Sequence, residues 1–187
     1  KGFMNNPGLV KTSAGLVLVD PGSTVQVGRF VLEEVNKISD EPIVAVFNTH
    51  VHGDHWLANQ AIREAYPDVK IHGHPNMIEK INEGAGDYWV DLMMTMTEGA
   101  SEGTDVVAPS DATDNEDEIK IGDTTFRIHH FGVAHTNNDI MIEAVEKSTV
   151  FLGDNVLNQR IARMTDGTFM GSIDSIDSIL ETGSETY

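Results

Sequence analysis

The 187-residue sequence contains no cysteine. That excludes disulfides and thiolate zinc ligands, so any metal chemistry must rest on imidazole and carboxylate. Basic residues are scarce: 12 Lys and Arg stand against 30 Asp and Glu, a formal net charge of -18. A field of that sign repels phosphate backbones, so nucleic acid is not an expected partner. No apolar run approaches the length of a membrane-spanning helix, so a soluble chain with no membrane partner is expected. The lack of cysteine also leaves no thiolate nucleophile for a covalent route. An initiator Met and a signal-peptide apolar region are also absent; a chain beginning at Lys1 is expected to be processed, cloned or incomplete there. Compartment and oligomeric state leave no signature in the sequence.

What is present fits one globular domain over residues 1–187. Apolar runs on either side of Ser13–Gly15 predict a hairpin. From 24 to 38, Val27, Phe30, Val31, Val35 and Ile38 recur at helical spacing. Residues 43–48 form a β-branched run, hence a buried strand, and 56–66 reads as a helix ended by Pro67. "VKIHG" at 69–73 is another strand, and Pro75 opens a short helix where its missing N–H costs nothing. This alternation of strand and helix predicts α/β layering. Residues 83–118, rich in Gly and Met and then acidic, are expected to be an insertion or lid. Four strands follow, with a hairpin at Gly122–Asp123. A last helix is expected to be capped by Ser172, with Ile173, Ile176, Ile179 and Leu180 as its stripe.

The chemistry concentrates in "NTHVHGDHWLANQ", residues 48–60. His50 and His52 are two apart at a strand's end, so extended backbone projects both to one side, within reach of one ion. Asp54 and His55 lie beyond Gly53, which is expected to let the chain turn, and are placed to face a second ion. Asp54 has a second reading as the cap of the following helix. His135 sits in a loop after one strand and Asp154 at the end of another; strand ends in α/β architectures converge on one face. His72 and His74 repeat the spacing of two and read either as a further metal pair or as a polar strand terminus. His129 and His130 read as structural. Tyr88, Trp89, Met93, Met94 and Met96 read equally as a substrate wall or as plain packing.

"THVHGDH", then "GVAHTNND", then "FLGD", with "GLVLVDPGS" near the start, resemble the metallo-β-lactamase superfamily from about residue 5 to the end. The resemblance implies a four-layer αββα sandwich with a metal site at one edge of two packed sheets. It implies that His50, His52 and His135 bind a first zinc, that Asp54 and His55 bind a second, and that Asp154 bridges the two. Asp20, in "VDPG", matches a family acid that orients the site loop. The family pattern also includes strands ahead of "NNPGLV" and a further histidine after the last helix. Neither is found in this chain, so the domain is expected to be incomplete at both ends.

Zinc lowers the pKa of a coordinated water from about 15.7 to about 7. The expected reaction is attack of zinc-bound hydroxide on the carbonyl of a small ester, thioester, lactone or amide, with Asp54 or Asp154 as the catalytic proton carrier. Asp154 at the bridging position looks more like the thioesterases and lactonases than like the Cys-ligand β-lactamases, which makes a true β-lactamase the alternative within hydrolases. Some family members hold a single iron for persulfide oxidation, and imidazole and carboxylate suit iron as well. The expected partner is a small-molecule substrate.

Overall fold

The computed structural model describes residues 5–157, 159 and 162–187. The expected hairpin is β1 (Gly8–Thr12) against β2 (Gly15–Val19), antiparallel. Helix α1 (Val25–Ile38) follows, with the Thr24 hydroxyl accepting the Val27 N–H at its start. β3 (Ile43–Phe47) lies parallel to β2. The single helix expected at 56–66 is two: α2 (Gly53–Trp56) and α3 (Asn59–Ala65), interrupted at Leu57–Ala58. β4 (Lys70–Gly73) and α4 (Pro75–Lys80) come next, then a π-helical turn and α5 (Gly86–Met96). A short β5 (Asp111–Ala112) pairs in parallel with β4, completing a five-stranded sheet in the order β1-β2-β3-β4-β5. The second sheet is antiparallel throughout: β6 (Glu118–Ile121), β7 (Thr124–His129), β8 (Met141–Ala144) and β9 (Thr149–Phe151). Helix α6 (Phe169–Leu180) lies near the end of the chain.

Side-chain alternation decides how these pieces stack. Leu16, Leu18 and Val46 face α1 and α3, where they meet Val35 and Ile62. Val17, Val19, Ala45 and Phe47 face the other sheet and pack on Phe126, Ile128, Ile142 and Ala144. β2 is therefore buried along its whole length. The Phe47 and Phe126 rings stack at 5.3 Å between the sheets. On the outer face of the second sheet, Met141 and Val150 receive Ile179 of α6. The result is the four-layer αββα arrangement. Fully burying one such side chain contributes about 1.5–3 kcal/mol, so the two-sided burial of the inner strands is the main attraction holding the layers.

Three local readings are corrected. Thr168, not Ser172, caps α6: its hydroxyl accepts the Gly171 N–H, and Ser172 lies inside the helix. Of the α6 stripe only Ile179 is buried, while Ile173 and Leu180 are about half exposed. In α1, Phe30 and Ile38 face solvent, and the helix instead rests Gly28 against Ala58 and Ala61. The segment expected as an insertion or lid contains α5, whose Met93 is buried with Trp56, Leu57, Met77 and Ile81.

Candidate metal centre

The chain leaves β3 at Phe47, three residues before His50, so the histidines stand on a loop and not on the pleat. The loop is anchored at its start. The Asn48 N–H donates to the His72 carbonyl, and the Asn48 and Asn59 side chains pair through bonds of 2.8 and 3.2 Å. Its main organiser is Asp20, which follows β2 in a left-handed conformation with φ of 51°. Few non-glycine residues hold that conformation, and such strain gathers at functional sites. The buried Asp20 carboxylate accepts the Thr49 N–H at 2.8 Å, the Thr49 hydroxyl at 2.7 Å and His55 Nδ1 at 2.8 Å.

Those bonds fix the direction in which two imidazoles offer their lone pairs. A carboxylate only accepts, so the Thr49 hydroxyl spends its one proton on Asp20. Its oxygen then accepts the Nδ1 proton of His50, 3.0 Å away, which leaves His50 Nε2 as a bare acceptor. By the same logic His55 gives its Nδ1 proton to Asp20 and turns Nε2 inward, 3.4 Å from Asp154 and 3.7 Å from Asp54. His135 Nε2 lies 3.1 Å from His52 Nδ1.

The sequence-predicted residues thus converge from four places: the 49–55 loop, the Asp20 turn, the loop bearing His135, and the turn Gly153–Asn155 bearing Asp154. Two groups of three have donor atoms within 4.8 Å of one another: His50, His52 and His135, and His50, His55 and Asp154. Asp54 stands beside the second group without completing a triad of its own. Two bonds of 2.0–2.1 Å at a tetrahedral zinc place their donors roughly 3.3 Å apart, close to the His52–His135 spacing. His50 Nε2 is buried with no hydrogen-bond partner, as is His135 Nδ1. A buried imidazole nitrogen without a partner is costly, and a cation would satisfy the one on His50. The donor set therefore fits a divalent metal: the one free nitrogen of His50 serves a single ion with His52 and His135, and His55 and Asp154, with Asp54 beside them, are left for a second.

Electrostatics separate the first group from the second. Burial, then the neighbouring His55, His52 and His135, holds His50 well below its ordinary value, so it is a neutral ligand. Burial and His135 likewise lower His52, against the opposing pull of Asp166 and Asp54. His55 goes the other way. Burial opposes its charge, but Asp20, Asp154 and Asp54 outweigh burial and raise it well above the ordinary value. Asp154 is lowered although burial would raise it, because His55 hydrogen-bonds to it.

The centre opens onto a pocket of about 1010 Å³. Asp54, His135 and Asp154 line it, and Trp89, Leu92 and Met96 of α5 form its apolar wall. The Trp89 ring lies 5.2 Å from that of His52. Gly53 serves this wall and not a turn: it begins α2, and a Cβ there would stand 2.7 Å from the Trp89 Cβ. Asp54 lies in the first turn of α2, whose cap position is His52, so the capping reading of Asp54 fails. The remaining histidines stay outside the centre. His72 stacks on Phe47 at 4.8 Å; His74 accepts the Asn76 N–H and packs on His130; His129 bonds Glu143 at 2.9 Å. Among the described residues His72 and His74 join no group of metal donors. Sequence reasoning missed two contributors, the Thr49 relay and Asp166, whose Oδ2 lies 3.2 Å from His52 Nε2. The Asp20–Thr49 link spans 29 residues and the Asp166 contact spans 114, so no local spacing announces either.

The model of the metallo-beta-lactamase superfamily matches residues 1–186. A linear primary-alkylsulfatase of Pseudomonas sp. (strain ATCC 19151) is 30% identical over 102 residues, which is 51% of this chain and 18% of that protein. A hydroxyacylglutathione hydrolase of Thermosynechococcus vestitus is 26% identical over 142 residues, 76% of this chain and 46% of that protein. The chain therefore spans less than half the length of either of these relatives. Among solved structures, the crystal structure of TTHA1623 in a di-iron-bound form superposes with a TM-score of 0.72 at 23% identity, covering 97% of this chain and 83% of that one.

Proposed function

The chain belongs to the metallo-beta-lactamase superfamily, and from that premise we propose that it is a metal-dependent hydrolase of a small ester or thioester. The observation that carries the proposal is the pair of adjoining donor groups whose members His52, His135 and Asp154 line one pocket. His50, His52 and His135 would hold one ion, and Asp54, His55 and Asp154 the second. A bound divalent metal would lower the pKa of a coordinated water and polarise a carbonyl oxygen.

The rest is the work of the chain. Asp20 and Thr49 hold the Nδ1 protons of His55 and His50, so Nε2 of His50 is bare, and the Nε2 proton that His55 shares with Asp154 is the one a second cation would displace. Asp154, whose carboxyl is held below its ordinary range, stays ionised and can accept a proton, and the Asp54 carboxylate stands 3.7 Å from the same nitrogen of His55 as a second carrier. Delivered to the leaving oxygen or sulfur, that proton completes cleavage. The wall of Trp89, Leu92 and Met96 shields the reacting bond from bulk water and suits an apolar acyl group. Two relatives support hydrolysis of this kind: one is named a hydroxyacylglutathione hydrolase and the other an alkylsulfatase.

The test is metal content and turnover of the full chain and of His52→Ala. A panel of an aryl ester, a glutathione thioester, an alkyl sulfate and a β-lactam reads the substrate class. Zinc- or iron-dependent hydrolysis of the ester or thioester, lost in His52→Ala, is expected. Unchanged metal content and activity in His52→Ala refute the ligand assignment. Stoichiometric iron with sulfur-dependent oxygen uptake and no hydrolysis would replace the hydrolase by an oxygenase, and preference for the β-lactam by a β-lactamase.

A further inference from the structure

We propose that Asp166 is the positioning residue for His52, and that residues 166–171 tie His52 to the loop bearing His135. The proposal rests on the metal-centre reading above. His52 has two ring nitrogens with different neighbours. Nδ1 faces His135 Nε2 at 3.1 Å, inside the first donor group, while Nε2 faces Asp166 Oδ2 at 3.2 Å outside it. Asp166 is a carboxylate and accepts only, so the proton of a neutral His52 belongs on Nε2 and the lone pair on Nδ1. A carboxylate behind a ligating imidazole sets its tautomer, orients the ring and raises its basicity. Asp166 thus does for His52 what Asp20 does for His55, from the other end of the chain.

The backbone around Asp166 is built for close approach. A Cβ on Gly167 would stand 1.9 Å from the Ala134 carbonyl oxygen and 2.4 Å from that of His135. A Cβ on Gly171 would stand 1.7 Å from the Val133 carbonyl oxygen. The Thr168 N–H donates to the Ala134 carbonyl at 2.8 Å, and the Thr168 hydroxyl accepts the Gly171 N–H as the cap of α6. Glycines at 167 and 171 therefore let the start of α6 lie against residues 133–135. One strap then carries both the backbone contact behind His135 and the carboxylate behind His52. The spacing of the two ligands is set by that shared piece of chain.

Asp166 is about half exposed, and an exposed ion pair contributes only about 0–1 kcal/mol to stability. Loss of a carboxylate behind a metal-bound histidine typically costs about 10–100-fold in metal affinity. The proposal therefore separates two readouts that a merely structural role would move together.

The experiment titrates the full chain, Asp166→Ala, Asp166→Glu and His52→Ala with zinc alone against a competing chelator. Thermal unfolding in chelator and the ¹⁵N shifts of the His52 ring are measured in parallel. Asp166→Ala is expected to weaken the tighter zinc by about 10–100-fold with Tm in chelator nearly unchanged, and to lose the Nε2–H signature of His52. Asp166→Glu is expected to recover part of the affinity. Wild-type affinity and an unchanged His52 tautomer in Asp166→Ala, while His52→Ala loses the ion, overturn the positioning role and leave the metal reading intact. A wild-type chain that binds no zinc overturns the metal reading itself. Gly167→Ala supplies the second arm: weakened zinc binding with Asp166 in place supports the strap, and wild-type affinity removes it.

Discussion

Replacing Asp20 by Asn removes one negative charge, puts an NH₂ donor where an oxygen accepted, and tests the logic of the whole centre. The buried carboxylate accepts three hydrogen bonds, from the Thr49 N–H, the Thr49 hydroxyl and His55 Nδ1. Bonds to a charged partner contribute about 1.5–3 kcal/mol each and neutral ones about 0.5–1.5. The amide oxygen keeps the Thr49 N–H, but its NH₂ turns toward the hydroxyl and the imidazole. The expected loss is about 2–4 kcal/mol in the metal-free fold, or roughly 5–15 °C in Tm for a domain of this size. The second effect is larger in consequence. An amide N–H donating to His55 Nδ1 drives the imidazole proton to Nε2, and the Thr49 hydroxyl, now an acceptor on that side, gives its proton to His50 Nδ1. Both inward nitrogens then carry hydrogen where a lone pair is needed. Because His50 serves the first ion and His55 the second, both ions are expected to weaken by about 10–100-fold. Zinc titration against a chelator measures the affinities, and thermal unfolding in excess chelator measures the fold. Two unchanged affinities with Tm within about 1 °C of wild type would refute the relay from Asp20 through Thr49 and His55.

Three further outcomes are expected. Burial holds His50, His52, His72 and His74 below 6.5, so below that pH the unfolded chain takes up protons that the fold refuses. The metal-free chain should lose stability as pH falls through 6.5, seen as a falling urea midpoint; His55 alone opposes this, its contribution being present at low pH and lost as pH rises through its raised value. Zinc at about 1,000 times its dissociation constant should stabilise the fold by about 4 kcal/mol over the chelated chain, and a Tm unmoved by zinc would deny that the ion binds the native state. Met93→Ala opens a cavity beside Trp56 and Met77 and should cost about 2–5 kcal/mol in chemical denaturation, whereas a loss under about 1 kcal/mol would mean that α5 is not held by this contact.

Much of this centre was legible because its ligands lie close in sequence or sit at strand ends. His50, His52, Asp54 and His55 fall within six positions, His135 follows the alternating strand β7, and Asp154 follows β9. The layers were legible for a similar reason: the continuous apolar runs of β2 and β3 leave few other ways to bury both faces. What escaped was everything set by packing across the chain. Helical spacing marked Ile173 and Leu180 as core, yet only one line of α6 reaches the sheet, through Ile179. Gly53 reads as a turn signal, but what it supplies is room for Trp89. Asp166 lies in an irregular stretch beside Gly167, and its meaning arises only when α6 docks against the His135 loop.

The placement of the two tryptophans makes the protein its own optical instrument. Trp56 has no exposed surface and gives its Nε1–H to the Val51 carbonyl at 2.9 Å, so its emission follows the integrity of the core. Trp89 is half-buried in the pocket wall, beside His52 and in edge contact with Tyr88 at 5.8 Å. A neutral dissolved quencher such as acrylamide reaches the second indole far more readily than the first. Occupancy of the pocket can thus be followed as protection of one tryptophan against the steady signal of the other, in the unlabelled chain and before any substrate has been identified.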